Sequence, residues 1–185
     1  MITIVSGSFC HRKEIEVPSG RIDLRPPKII VGVSLTLVGE GKSFNQRAIT
    51  LPAILDTGFN RTFEIDEWHL ARWAGLRKEH LNPAAKNNFD DGRKYDLCEA
   101  RIWLHRTPYE GPQAPRARPP LLLKESRQVR VMASIGKPNP RLPLLGLTAL
   151  IENQLQVAID AENSRFRVYR SLGVSLSEWY RKFSS

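Results

Sequence analysis

The sequence predicts a mainly β domain with short helices. Three observations predict it. Apolar residues come in short runs, several of which alternate with polar ones. Thirteen prolines and twelve glycines cut these runs into segments joined by turns. Tight-hairpin signals stand at Asp91-Gly92 and across residues 161–164. The 185 residues fit one domain, and 41% hydrophobic with 25% charged residues is the balance of a globular chain with a core.

The elements follow in order. Residues 1–27 are polar and turn-rich, with Pro18-Ser19-Gly20 and Pro26-Pro27 as breakers. Ile2, Ile4 and Phe9 there suit a short edge strand, a candidate for a dimer interface. Lys28 to Val38 predicts a firm strand, because Val33, Leu35 and Leu37 alternate with Ser34, Thr36 and Val38. Gly39 and Gly41 turn the chain. Ala48 to Leu55 predicts the next strand, which delivers Asp56. Asp66 suits an N-cap for a helix from Glu67 to Ala74, with Leu70, Trp73 and Ala74 on one face and Gly75 as its stop.

Asn82-Pro83 opens a predicted loop, and Asp91-Gly92 a hairpin turn. Tyr95 to His105 alternates again, with Cys98, Ala100, Ile102 and Leu104 facing one way. Residues 107–120 hold five of the prolines together with Arg116 and Arg118, and read as an inserted surface loop. Val129, Val131 and Ala133 predict one face of a further strand, and 135–143 a Pro/Gly/Asn-rich connection. Leu144 to Glu152 predicts a strand end and a short helix. Leu155 to Ile159 and Arg165 to Tyr169 predict a closing hairpin. Ser175 and Glu178 resemble a capping box for a last short helix carrying Trp179 and Phe183. The domain is therefore expected over 28–170, with 171–185 as a helical tail.

Asp56-Thr57-Gly58 is the feature with chemical content. It sets a carboxylate at the end of the apolar run Ala53-Ile54-Leu55. A carboxylate near a core is costly unless paired or hydrogen-bonded. Gly58 lets backbone N–H groups approach it without a Cβ in the way, and Thr57 can brace the turn or its counterpart in a second copy. By chance the triplet arises in roughly one chain of this length in 25, so its context matters. Leu144-Leu145-Gly146 stands some ninety residues later, with Leu147 to Leu150 behind it.

With these residues the chain resembles the retroviral-type aspartic proteases, in their single-domain bacterial and cellular form. That family's order is a hairpin, a strand ending in Asp-Thr/Ser-Gly, a flap hairpin, then two hydrophobics and a glycine before a short helix and a terminal strand. The resemblance covers 28–170. It implies a closed acid-protease β-barrel with one lobe per chain, and a homodimer in which each copy supplies one catalytic Asp56. A carboxylate pair about 3 Å apart shares one proton. One member activates water and the other protonates the carbonyl of a peptide or protein substrate. Thr57 would bond across the dimer, Gly58, Phe59 and Asn60 would line the substrate, and Gly92 would mark the flap. Leu144, Leu145 and Gly146 would lie behind the site. Phe59 replaces the family's usual alanine and is expected to crowd the adjacent pocket. Asn60 and Leu147 replace an acid and an arginine that pair in viral members. Thr62 keeps the family's Thr/Ser preference. Asp160 is a rival second acid, but no Thr/Ser-Gly follows it.

Other chemistry is thinly supported. Neither a metal nor a cofactor is expected: His11, His69, His80 and His105 have no metal-ligand spacing with each other or with Cys10 and Cys98. The tryptophans Trp68, Trp73, Trp103 and Trp179 suit core or interface positions. The net charge of +9 is concentrated between Arg101 and Arg141, where nine Lys/Arg face Glu110 and Glu125. A basic nucleic-acid-binding β-domain is thus an alternative, although no recognition motif accompanies the charge and nucleic acid is not expected as a partner. The other alternative is an inactive dimeric binding or assembly module of the same fold, motivated by Phe59 and the charged hairpin. No membrane span is expected. Two cysteines without framework spacing, and an N-terminus lacking a secretory pattern, predict a cytoplasmic setting.

Overall fold

The computed structural model describes residues 1–8, 14–25, 28–39, 43–90, 92–114, 118–124, 127–134 and 141–170. The expectations for Phe9, Cys10, His11, Pro26, Pro27, Gly41, Asp91, Arg116, Glu125, residues 135–140 and the C-terminal helix lie outside them. The class is as predicted, mostly β. In chain order the strands are β1 (Ile2–Ser8), β2 (Glu14–Val17), β3 (Gly20–Asp23), β4 (Ile30–Thr36), β5 (Leu51–Asp56), β6 (Phe63–Asp66), β7 (Asn82–Asp90), β8 (Arg93–Glu99), β9 (Arg101–Pro108), β10 (Leu121–Leu122), β11 (Gln128–Met132), β12 (Leu144–Gly146), β13 (Leu155–Asp160) and β14 (Arg165–Arg170). Helix α1 is Glu67–Trp73 and α2 is Leu147–Glu152. Among the described residues no helix is long and apolar enough to cross a membrane.

Nine strands form one sheet in the order β10-β9-β4-β5-β12-β6-β11-β8-β7. Its middle is the unusual part. The three-residue β12 lies between β5, with which it runs parallel, and β6, with which it runs antiparallel. A second sheet, β1-β14-β13, joins the first strand to the last two described, and β2-β3 is a separate hairpin. Residues 2–8 are thus built into the body: β1 pairs along β14, and Ile4 and Val5 are buried in the core.

The expected closed barrel is not formed by the described residues. The large sheet ends at β10 on one side and β7 on the other. Closure would need these two edges to pair, and β10 offers only Leu121 and Leu122. The loop expected after Asn82 is in fact β7, paired antiparallel to β8. Its tip is the predicted hairpin: Asp90 pairs with Arg93, and Gly92 adopts φ +73°, a left-handed conformation that glycine reaches without a Cβ penalty. The single strand expected from Tyr95 to His105 is two strands. They part at buried Ala100, whose N–H donates to the Arg127 carbonyl (2.9 Å).

Strand β4 is buried along its whole length, on both faces. The polar members of its alternation, Ser34 and Thr36, are buried with the rest. Their hydroxyls have interior partners: Trp103 Nε1 donates to Thr36 (2.9 Å), and Ser34 donates to the Ile49 carbonyl (2.8 Å). Ser34 Oγ also lies 2.8 Å from His105 Nε2. Phe44 covers this face, edge-on to Trp103 at 5.2 Å between ring centroids. Buried hydroxyls are tolerated because they are bonded.

Helix α1 starts as its sequence requires. The Asp66 side chain accepts from the Trp68 N–H (2.8 Å) and from the Ser134 hydroxyl. His69, Leu70 and Trp73 face the core, and the helix stops before Gly75 at φ +67°.

Candidate active site

Strand β5 is buried from Leu51 to Ala53 and emerges at Asp56, which is half-buried. Thr57 and Gly58 are exposed on the turn beyond it. The Gly58 N–H donates to Asp56 Oδ1 at 2.9 Å, and the Phe59 N–H donates to the Asp56 carbonyl at 3.2 Å. A Cβ at Gly58 would come within 3.3 Å of the same carboxylate oxygen, so a bare glycine suits the close approach. Among the described residues the Asp56 carboxylate has the Gly58 N–H as its one hydrogen-bond partner, and the exposed Thr57 hydroxyl has none.

The strand that carries the turn is flanked in the sheet by the distant Leu-Leu-Gly. Leu144 pairs with Ile54, Leu145 with Leu55 and Gly146 with Asp56. Three further bonds clamp the chain after Gly58. The Gly146 N–H donates to the Thr62 carbonyl (3.0 Å), the Leu147 N–H to the Phe59 carbonyl (2.8 Å), and the Thr148 hydroxyl to the Asn60 carbonyl (3.0 Å). Residues 59–62 are therefore tied to the start of α2 at three carbonyls in four residues.

Gly146 is a glycine for want of space, not for its backbone angles. Its φ of −96° suits any residue. A Cβ there would lie 2.5 Å from the Phe59 carbonyl oxygen and 2.6 Å from Phe59 Cδ1, and would overlap the Arg61 carbonyl still more. The same contact locates Phe59: the residue is half-buried, with its ring edge against Gly146. Asn60 and Arg61 are exposed, and Thr62 is buried at the entrance to β6.

The other predicted positions lie apart. Gly92 is on the β7-β8 hairpin, and four strand-to-strand steps separate β8 from β5 in the sheet. Asp160 ends β13 in the other sheet, fully exposed. It accepts from the Asn163 side chain (2.9 Å) and N–H (3.1 Å), bonds that hold its carboxyl below the usual range. Asp160 thus serves its own turn.

The described residues of the basic stretch differ in exposure. Arg130 is buried on β11, with Nε 3.6 Å from Glu64 and its guanidinium 4.1 Å over the Tyr95 ring. Lys124 and Arg127 are exposed, while Arg101 and Arg106 are half-buried on β9. His69 and His105 are interior side chains. His69 stacks on Trp73 at 3.9 Å between centroids, and burial lowers its pKa despite the opposing pull of Asp66.

Sequence reasoning missed the clamp formed by Leu147 and Thr148. Its only trace was the position of these residues directly behind Leu144-Leu145-Gly146. The chain matches no protein-family model, no curated protein and no solved structure.

Proposed function

We propose that this chain is one half of a homodimeric aspartic endopeptidase of retropepsin-like fold, with Asp56 from each copy forming the catalytic pair. The observation that carries the reading is the seating of Asp56-Thr57-Gly58 on Leu144-Leu145-Gly146. Two segments that the resemblance marks as site and support are paired residue for residue, with Asp56 opposite Gly146. A turn held at three carbonyls fixes its carboxylate in position, as pre-organised catalysis requires. In this reading the partner's aspartate supplies the second carboxylate, one of the pair activates water, and the other protonates the scissile carbonyl. The exposed Thr57 hydroxyl is left for the partner.

The test is Asp56→Asn, assayed on unfolded protein and on a peptide library alongside sedimentation of both proteins. Loss of cleavage with the dimer retained is expected. Undiminished cleavage by the variant would sink the reading.

The second reading, an inactive dimeric module, draws on Phe59, whose ring edge lies against Gly146, the residue paired with Asp56. A dimer that cleaves nothing between acidic and neutral pH would favour it.

A further inference from the structure

We propose that Arg61 makes this site select substrates bearing an aspartate or glutamate side chain near the scissile bond; this rests on the protease reading above. The motivating feature is a cavity of about 150 Å³ beside the catalytic turn, walled by Asn60, Arg61, Tyr95, Gln128, Arg130 and Thr148 among others. At roughly 30 Å³ per water molecule it holds about five waters, the room of one side chain.

The cavity begins where the turn ends. Asn60 is four residues beyond Asp56, so its Cα lies within about 15 Å even for an extended chain. The bond from the Phe59 N–H to the Asp56 carbonyl folds it closer. A substrate in extended form advances about 3.3 Å per residue. In this proposal a side chain within a few positions of the cleaved bond enters the cavity from the Asn60–Arg61 side.

The charges in the wall decide what that side chain is. Two arginines line the cavity and no carboxylate does. Arg130 is engaged by Glu64 and Tyr95, and the Thr148 hydroxyl is spent on the Asn60 carbonyl. Arg61 differs: it is exposed, and among the described residues its guanidinium has no hydrogen-bond or ion-pair partner. A guanidinium presents a planar fork of donors that fits a carboxylate in bidentate fashion. It disfavours lysine and arginine by repulsion, so the pocket selects by attraction and by exclusion together. Arg61 thus acts on specificity and has no part in the bond-breaking step.

Peptide libraries randomised around the scissile bond test this with the full chain, its Arg61→Gln and Arg61→Glu variants, and Asp56→Asn as the control. The parent should favour Asp or Glu over Asn or Gln at one position by roughly tenfold in kcat/KM, the size of one charge-assisted hydrogen bond. Raised salt should shrink the ratio. Arg61→Gln should level it, and Arg61→Glu should turn the same position toward Lys and Arg. A profile indifferent to charge, or an acid preference that survives Arg61→Gln, overturns the proposal while leaving the protease reading intact. If the parent cleaves nothing, the protease reading fails. Fluorescence anisotropy with a labelled glutamate-containing hexapeptide and its glutamine counterpart then decides the pocket alone. Tighter binding of the acidic peptide, lost in Arg61→Gln, supports it; equal or absent binding overturns it.

Discussion

Gly146→Ala is the sharpest structural test, because one methyl group meets three atoms of the segment that follows Asp56-Thr57-Gly58. The Cβ would sit 2.5 Å from the Phe59 carbonyl and 2.6 Å from its ring, and would overlap the Arg61 carbonyl. The turn or α2 must then shift. Shifting stretches the bonds from the Gly146 N–H to Thr62 and from the Leu147 N–H to Phe59, now 3.0 and 2.8 Å. Each is worth about 1 kcal/mol net, and forcing a methyl into a packed site costs about 1–3 kcal/mol. The sum is about 3–5 kcal/mol. For a chain of this size about 2–4 °C of melting temperature goes with each kcal/mol, so a drop of roughly 10 °C is expected. Thermal unfolding followed by circular dichroism measures it. Gly39→Ala is the control, since nothing lies within 4 Å of a Cβ there; that change should be neutral or slightly stabilising. A Gly146→Ala melting temperature within about 2 °C of the parent would refute the close seating of the turn on Gly146.

Further outcomes follow from burial and capping. His69 is buried with its pKa lowered from 6.5, so the unfolded chain binds its proton more readily. Stability from this group is complete above pH 6.5 and is lost as pH falls through the lowered folded value. Urea midpoints should therefore fall between pH 7.5 and 5, and His69→Gln should flatten that dependence; an unchanged slope counts against it. Asp66→Ala removes both the α1 cap and the partner of Ser134, and should cost about 2 kcal/mol in urea titration. Asp66→Asn, which keeps a capping oxygen, should cost less than half of that, and equal losses would argue against the cap.

Much of this fold is written locally. The alternation around Val33 and Leu35, the Asp66 cap, the Leu144–Glu152 strand-helix junction and the 155–170 hairpin each depend on neighbours within a few residues, and each appears where the sequence places it. What failed was long-range. The alternation from Cys98 to Leu104 is unbroken, yet the chain changes partners at Ala100: β8 pairs with β11, and β9 with β4. Periodicity reports which face is apolar, not which strand lies alongside. Strand β7 was hidden by Asn and Pro, residues that mark turns when no partner is known. At the site, Asp56-Thr57-Gly58 was legible as an acid on a turn. The clamp was not, because backbone donors such as the Leu147 N–H carry no side-chain signature.

The three residues of β12 also set an order of assembly. Strands β5 and β6 are made early, but each lacks a neighbour until Leu144-Leu145-Gly146 arrives, ninety residues after the Ile54-Leu55-Asp56 it pairs with. Closing a loop of that length costs entropy that only the late contacts return. During synthesis the Asp56 turn therefore stays without its support until most of the chain has emerged. Truncation before Leu144 would leave two open sheet edges at the centre of the fold, where aggregation-prone pairing begins.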